Sequence, residues 1–156
     1  MDLVQIATCE IADILERNLP KVSVTWWNDL VWNHLSGRQQ EALAGFHGLK
    51  LQDLDLSSLL SIVDANWMGL VASSKQRKEG RNYLMELKTI RNELCHRSSR
   101  PTSVELALRQ WQTLKLFLKS LGGSESAIRI INVQLRHLAK SYQSELCHGR
   151  EQLLAS

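Results

Sequence analysis

The stretch Tyr83-Leu84-Met85-Glu86-Leu87-Lys88-Thr89-Ile90-Arg91-Asn92-Glu93-Leu94-Cys95-His96 decides the reading of this chain. Tyr83, Leu87, Ile90 and Leu94 recur at spacings of four, three and four, the period of one buried helix face. The opposite face is polar and basic, and it ends in an imidazole. Asn92 and His96 are four apart and share a face. Arg91 sits about 100° round from Asn92 and can lean over the same groove, with Lys88 one turn earlier. A helix of this kind combines a core stripe with a set of groups able to act on a phosphodiester.

The same helical period runs outward in both directions. Leu3, Ile6, Ala7, Ile11, Ile14 and Leu15 predict a first helix ending near Asn18, ahead of Pro20. Ser23 or Thr25 caps a second helix carrying Trp26, Trp27, Leu30, Val31 and Leu35. Ser36 caps a short third over residues 38–44, and a loop follows to Asp55. Asp55 or Ser57 then caps a helix over residues 56–72. The central helix is expected over residues 76–97, stopped by Pro101. Thr102-Ser103-Val104-Glu105 reads as a capping box for the next helix, which runs to Gly122-Gly123. A last helix starts near Ser124 with the stripe Ile128, Ile131, Leu135, Leu138, Tyr142 and Leu146 and no clear stop. It packs along the bundle or a second subunit, or else leads into a further domain.

Strand-like alternation is hard to find, so the expected fold class is all-α. At 156 residues and 44% hydrophobic, the chain is read as one domain over residues 1–156. Its core is placed at about residues 20–120, with the long C-terminal helix over 124–156. Three cysteines, Cys9, Cys95 and Cys147, make no disulfide framework and suggest a reducing compartment. Each lies in an apolar-periodic stretch, where a free Cys is expected to act as a small core hydrophobe. The start lacks a signal peptide, and no run reaches the ~20 apolar residues of a membrane span. A cytoplasmic protein without a membrane partner is therefore expected.

Charge is unevenly distributed. Residues 1–66 carry nine acids and four bases, a net of −5, whereas residues 75–100 carry eight bases and three acids, a net of +5. That basic block surrounds Arg91 and His96 and would concentrate a polyanion. The inferred chemistry is attack of a ribose 2′-hydroxyl on the adjacent phosphate. His96 serves as base or acid, Arg91 holds the non-bridging oxygens, and Asn92 orients the phosphate or the imidazole. Lys88, Arg97 and Arg81 are the expected substrate-binding cations. One His does not easily perform both proton transfers, so a two-fold dimer supplying two His and two Arg is expected. Against this stands a structural reading, in which His96 caps the helix and Arg91 pairs with Glu86 or Glu93 on the surface. His34, His47, His137 and His148 lack an Arg-polar partner at matching spacing. No metal is expected, because C-x2-C and H-E-x-x-H are both absent, and no cofactor is expected. The five tryptophans could stack bases, but among Leu and Val at helical spacing they read as core.

The hexapeptide Arg91-Asn92-Glu93-Leu94-Cys95-His96 resembles the motif of the HEPN superfamily, an Arg, four to six residues and a His, with a polar residue directly after the Arg. The resemblance extends back through Leu54-Asp55-Leu56-Ser57-Ser58-Leu59-Leu60, Asn66-Trp67 and Tyr83-Leu84-Met85-Glu86-Leu87, and forward over residues 109–117. It looks like the subtype found in a nuclear RNA-surveillance endonuclease and in bacterial conflict systems. What the resemblance implies is a dimeric α-helical bundle acting as a metal-independent RNase in toxin or antiviral systems. Arg91 and His96 would be catalytic, Asn92 the polar helper and Glu86 an accessory acid. It equally implies the alternative of a non-catalytic module that binds nucleotide, RNA or a partner. Such partners include an antitoxin, a nucleotidyltransferase or an ATPase or helicase module.

Overall fold

The computed structural model describes residues 2–96 and 101–156. Among the described residues seven α-helices follow in order: α1 Leu3–Asn18, α2 Gly37–Leu43, α3 Leu56–Ala65, α4 Trp67–Leu70, α5 Ser74–His96, α6 Val104–Ser120 and α7 Glu125–Ala155. No strand occurs among the described residues, and the protein is an all-α bundle with a long C-terminal helix. No helix among them is long and apolar enough to cross a membrane.

The core forms where α1, α3, α5 and α6 turn their apolar stripes together. Ile11, Ile14, Leu15, Leu59, Leu60, Ile62, Leu84, Leu87, Leu114 and Phe117 are all buried there. The centre of the α5 stripe is rotated from the expected one: Gly80, Leu84, Leu87 and Ile90 are buried, while Tyr83 and Leu94 are half-buried. The reason is Trp67, whose indole lies over Gly80 and stacks on Phe117 at 6.4 Å between centroids and 10° between planes. Trp67 Nε1 donates to the Arg77 carbonyl at 3.0 Å, so the ring is fixed in angle as well as depth.

Several boundaries differ from expectation for local reasons. Residues 56–72 do not form one helix, because the chain turns at Asn66, whose side chain bonds the Leu30 and Ile62 carbonyls at 2.9 and 2.8 Å. The second expected helix is a π-helix, Trp27–Val31, running into a 3-10 turn, Trp32–His34. The cap of α6 is Ser103, which accepts from the Leu106 N–H, and not Thr102. The α6–α7 turn closes as a Schellman motif: Gly123 N–H donates to the Leu118 carbonyl at 2.8 Å and Gly122 N–H to Lys119 at 3.3 Å. Gly122 sits at φ +72°, where a Cβ would be strained. All three cysteines are exposed, contrary to the core role expected of them, since each falls on the polar side of its helix.

The thirty-one residues of α7 would reach about 46 Å at ~1.5 Å per residue. Its N-terminus is tied to α1 by a contact that sequence spacing did not reveal. Buried Glu10 accepts from the Ser124 backbone N–H and from its hydroxyl at 3.1 Å, placing a carboxylate at the positive end of the helix dipole. Only Ala127 and Ile131 are fully buried on α7, and every residue from Gln143 onward is exposed.

Candidate functional site

The hexapeptide occupies the C-terminal end of α5, the helix held between α3 and α6. Both neighbours run antiparallel to it, as the contacts show: Asp55 with Arg91 and Asp64 with Arg81 on one side, Glu86 with Arg109 and Gly80 beside Ser120 on the other. Arg91 is half-buried against the start of α3, its side chain 27% exposed. Its Nη2 lies 3.3 Å from Asp55 Oδ2, and its Nη1 donates to Asn92 Oδ1 at 3.3 Å. Asp55 has a second duty, because its Oδ1 accepts from the Ser58 N–H at 2.8 Å as the N-cap of α3. The Arg91 partner is therefore Asp55, thirty-six residues earlier, rather than Glu86 or Glu93.

The other expected site residues divide between two faces of α5. Lys88 Nζ lies 2.7 Å from Asp64 Oδ2 and Arg81 Nη2 lies 2.9 Å from Asp64 Oδ1. These two cations thus converge on one carboxylate of α3, beside Arg91 and on the same flank. Glu86 does not join them: it accepts from Arg109 Nε at 3.1 Å on the α6 side. There it lines a separate cavity of about 180 Å³ with Glu93 and Ile90. Arg97 lies outside the described residues. His96, the last residue of α5, is exposed, and its side chain forms no hydrogen bond or ion pair among the described residues.

Helical geometry fixes what one chain can do. His96 and Asn92 lie about 40° apart around the axis, but His96 and Arg91 lie about 140° apart, at ~100° per residue. Arg91 leans toward α3 while His96 faces outward from the bundle. One protomer presents the guanidinium and the imidazole at the same end of one helix but on different sides of it, without converging them on a single atom. Among the described residues, no group of three or more His, Cys, Asp or Glu is placed to hold a metal ion.

Residues that the sequence offered only as a motif series acquire physical roles here. Asp55 orients Arg91, Asn66 turns the chain out of α3, and Trp67 wedges against Gly80 to set the height of α5 in the bundle. An all-α bundle whose central helix ends in Arg-Asn-x3-His, buttressed by that series, defines a HEPN-type domain. The family model for Swt1-like HEPN matches residues 5–122, and the chain belongs to that family. The match takes in α1, which supplies Ile6, Ala7, Ile11 and Leu15 to the shared core. No match was found among curated proteins or among solved structures.

Proposed function

We propose that this domain is a metal-independent endoribonuclease whose active site is composed across a dimer. The observation that carries the reading is the presence, at one helix end, of a positioned, half-buried Arg91 and an outward-facing His96 whose side chain has no partner among the described residues. Arg91 holds the non-bridging oxygens of the scissile phosphate. His96 of one copy takes the 2′-hydroxyl proton as the 2′-oxygen bonds to phosphorus. The bond to the 5′-oxygen breaks, and that oxygen receives a proton from His96 of the second copy. The products are a 2′,3′-cyclic phosphate and a 5′-hydroxyl. Asn92, bonded to Arg91, keeps the guanidinium turned toward the substrate groove, and Lys88 and Arg81 extend the positive surface along α5.

The ion pair with Asp55 does not disable Arg91. It is a single contact to a carboxylate that is 57% exposed, and such pairs contribute about 0.2–1 kcal/mol. A phosphate able to accept two guanidinium N–H groups displaces it readily. A role in toxin or antiphage defence accords with the family reading.

A second reading draws on a different observation. The three expected site cations described on the α3 flank already have carboxylate partners, Arg91 with Asp55 and both Arg81 and Lys88 with Asp64. A surface so neutralised suits a non-catalytic dimerisation, nucleotide-binding or partner-binding module of a larger defence ATPase or toxin–antitoxin system.

The deciding experiment incubates labelled tRNA and unstructured RNA with the protein in EDTA, beside Arg91→Ala and His96→Ala. Cleavage by the parent alone, leaving cyclic phosphate ends, supports the first reading. Intact RNA after incubation with folded, dimeric protein overturns it in favour of the second.

A further inference from the structure

One apolar stripe runs the length of α7 but meets two different surroundings. Ile131 is buried, and Leu135, Leu138 and Tyr142 are half-buried. Leu146 and Leu153 continue the same stripe in full exposure to solvent. At ~100° per residue all six fall within an arc of about 80°. The change comes where α7 runs out of neighbours. The Gly122-Gly123 turn sends it back along α6, so that Gln134 lines a cavity with Ala107 and Gln110. Eight residues further on, Tyr142 is level with the start of α6 at Val104. Residues 143–155 then overhang the end of the bundle at which α5 finishes in His96, by about 20 Å at ~1.5 Å per residue.

That same end holds an open cavity of about 490 Å³ between the start of α1, the end of α5, the start of α6 and the flank of α7. Val4, Leu94, Ala107 and Trp111 give it an apolar wall, and Asp2 is the charged residue of its lining. Gln110, 4% exposed, also lines it, and its Nε2 has no hydrogen-bond partner among the described residues. A buried donor left unbonded is costly, and an occupant bringing an acceptor relieves it. We propose that this cavity seats the α7 overhang of a second copy, exchanged reciprocally about a two-fold axis. The proposal deepens the dimeric reading of the Arg91–His96 site and rests on it. Leu146 and Leu153, seven residues apart, are the anchors of a helix laid in a groove. Arg150, at the edge of their stripe, has its opposite charge in Asp2, and Gln152 brings an acceptor for Gln110. Half the side of a helix ~10 Å wide and ~20 Å long is ~300 Å²; counted on both partners and in both exchanges it reaches ~1,200 Å², enough for a specific dimer. A small ligand would fill the cavity and leave Leu146 and Leu153 in water, whereas the exchange covers both surfaces at once. Overhang and cavity lie at the hexapeptide end, so the exchange gathers the two copies of that end at the axis.

The test uses the full chain. Sedimentation velocity reads the dimer, and cleavage of unstructured RNA in EDTA is assayed on the same samples. The double variant Leu146→Asp/Leu153→Asp alters only exposed side chains, so circular dichroism is expected to match the parent. Its dimer Kd is expected to rise by about 100-fold or more, and cleavage falls with the dimer fraction. Cross-linking then locates the seat, in a background with the exposed Cys9, Cys95 and Cys147 replaced by Ser. Val4→Cys chains mixed with Leu153→Cys chains are expected to form a mixed disulfide on mild oxidation. Val24→Cys chains, whose thiol lies beyond the far end of α1, are expected to form none. A dimer and a cleavage rate both unchanged in Leu146→Asp/Leu153→Asp overturn the seat and leave the composite site standing. Loss of the dimer without the mixed disulfide overturns the cavity in favour of overhang pairing with overhang. A parent that dimerises through the seat and cuts no RNA upholds the exchange and overturns the nuclease. A monomeric parent overturns both.

Discussion

The two ends of α5 are built differently. From Gly80 to Leu87 the helix is clamped, with Trp67 against Gly80, Leu84 and Leu87 buried, and Arg81 and Lys88 both fixed on Asp64. From Asn92 to His96 only Leu94 touches the core, and Asn92, Glu93, Cys95 and His96 are exposed. Arg91 stands at the boundary, its guanidinium tied to α3 on one side and to Asn92 on the other. The difference teaches that the bundle positions Arg91 itself but leaves His96 to be positioned by something else. In the proposed dimeric site that something would be the second copy, covering the imidazole and adding its own.

The largest expected effect falls on the exposed end. His96→Ala should lower cleavage by about 10²–10⁴-fold, the range for loss of a general acid–base group, without moving the melting temperature. Circular dichroism and a cleavage assay on the same preparation check both halves of that statement. A large stability loss would mean that His96 belongs to the clamped region, and the comparison would break.

At the clamped end the order reverses. Leu87 is 1% exposed, and Leu87→Ala should cost about 2–5 kcal/mol through the cavity it leaves, read by urea denaturation. Gly80→Ala is a finer probe of the same region. A Cβ there would meet Trp67 ring carbons at 2.9 Å and the Ser120 hydroxyl at 2.7 Å. The hydroxyl can rotate away, but the indole is held by its bond to Arg77 and its stack on Phe117. Overpacking of ~1–3 kcal/mol should outweigh the ~1 kcal/mol that Ala gains over Gly in a helix. A net loss of up to about 2 kcal/mol is expected, and a stabilised Gly80→Ala would show that Trp67 does not set the position of α5.

Much of this was legible in the residues, and the reasons are physical. Helical periodicity reports burial directly, so α1, α5 and α6 could be read to within a residue or two from their apolar spacing, and α7 from its stripe, whereas α3 begins as expected but ends at Ala65, because the break at Asn66 leaves the apolar period intact. What could not be read were contacts made across the fold. Asp55 gives no local sign that its second carboxylate oxygen will meet Arg91, although its N-cap role was visible. Glu10 capping α7 from α1 spans 114 residues and has no periodic signature. The resemblance offers Glu86 as an accessory acid, but its position on the helix turns it to Arg109. The π-helix Trp27–Val31 was hidden because its apolar pattern also suits an α-helix.

A small expected stability change carries the sharpest question about the boundary residue. Asp55→Ser keeps a hydroxyl able to accept the Ser58 N–H, so the cap of α3 survives, while the charge facing Arg91 is removed. The ion pair is 57% exposed on the carboxylate side, so its loss should cost less than about 1 kcal/mol. Activity separates two roles of that carboxylate. If Asp55 merely neutralised Arg91, its removal would free the guanidinium and cleavage would rise. If it holds Arg91 at the height where the phosphate docks, the guanidinium swings away and cleavage falls, by up to ~100-fold for a displacement near 1 Å. The second outcome is expected. Nη2 is directed at Asp55 and Nη1 at Asn92, so removing one anchor leaves the group pivoting on the other. Single-turnover rates for Asp55→Ser at saturating RNA, compared with the parent, decide between them, and a faster variant would move Asp55 from positioning to inhibition.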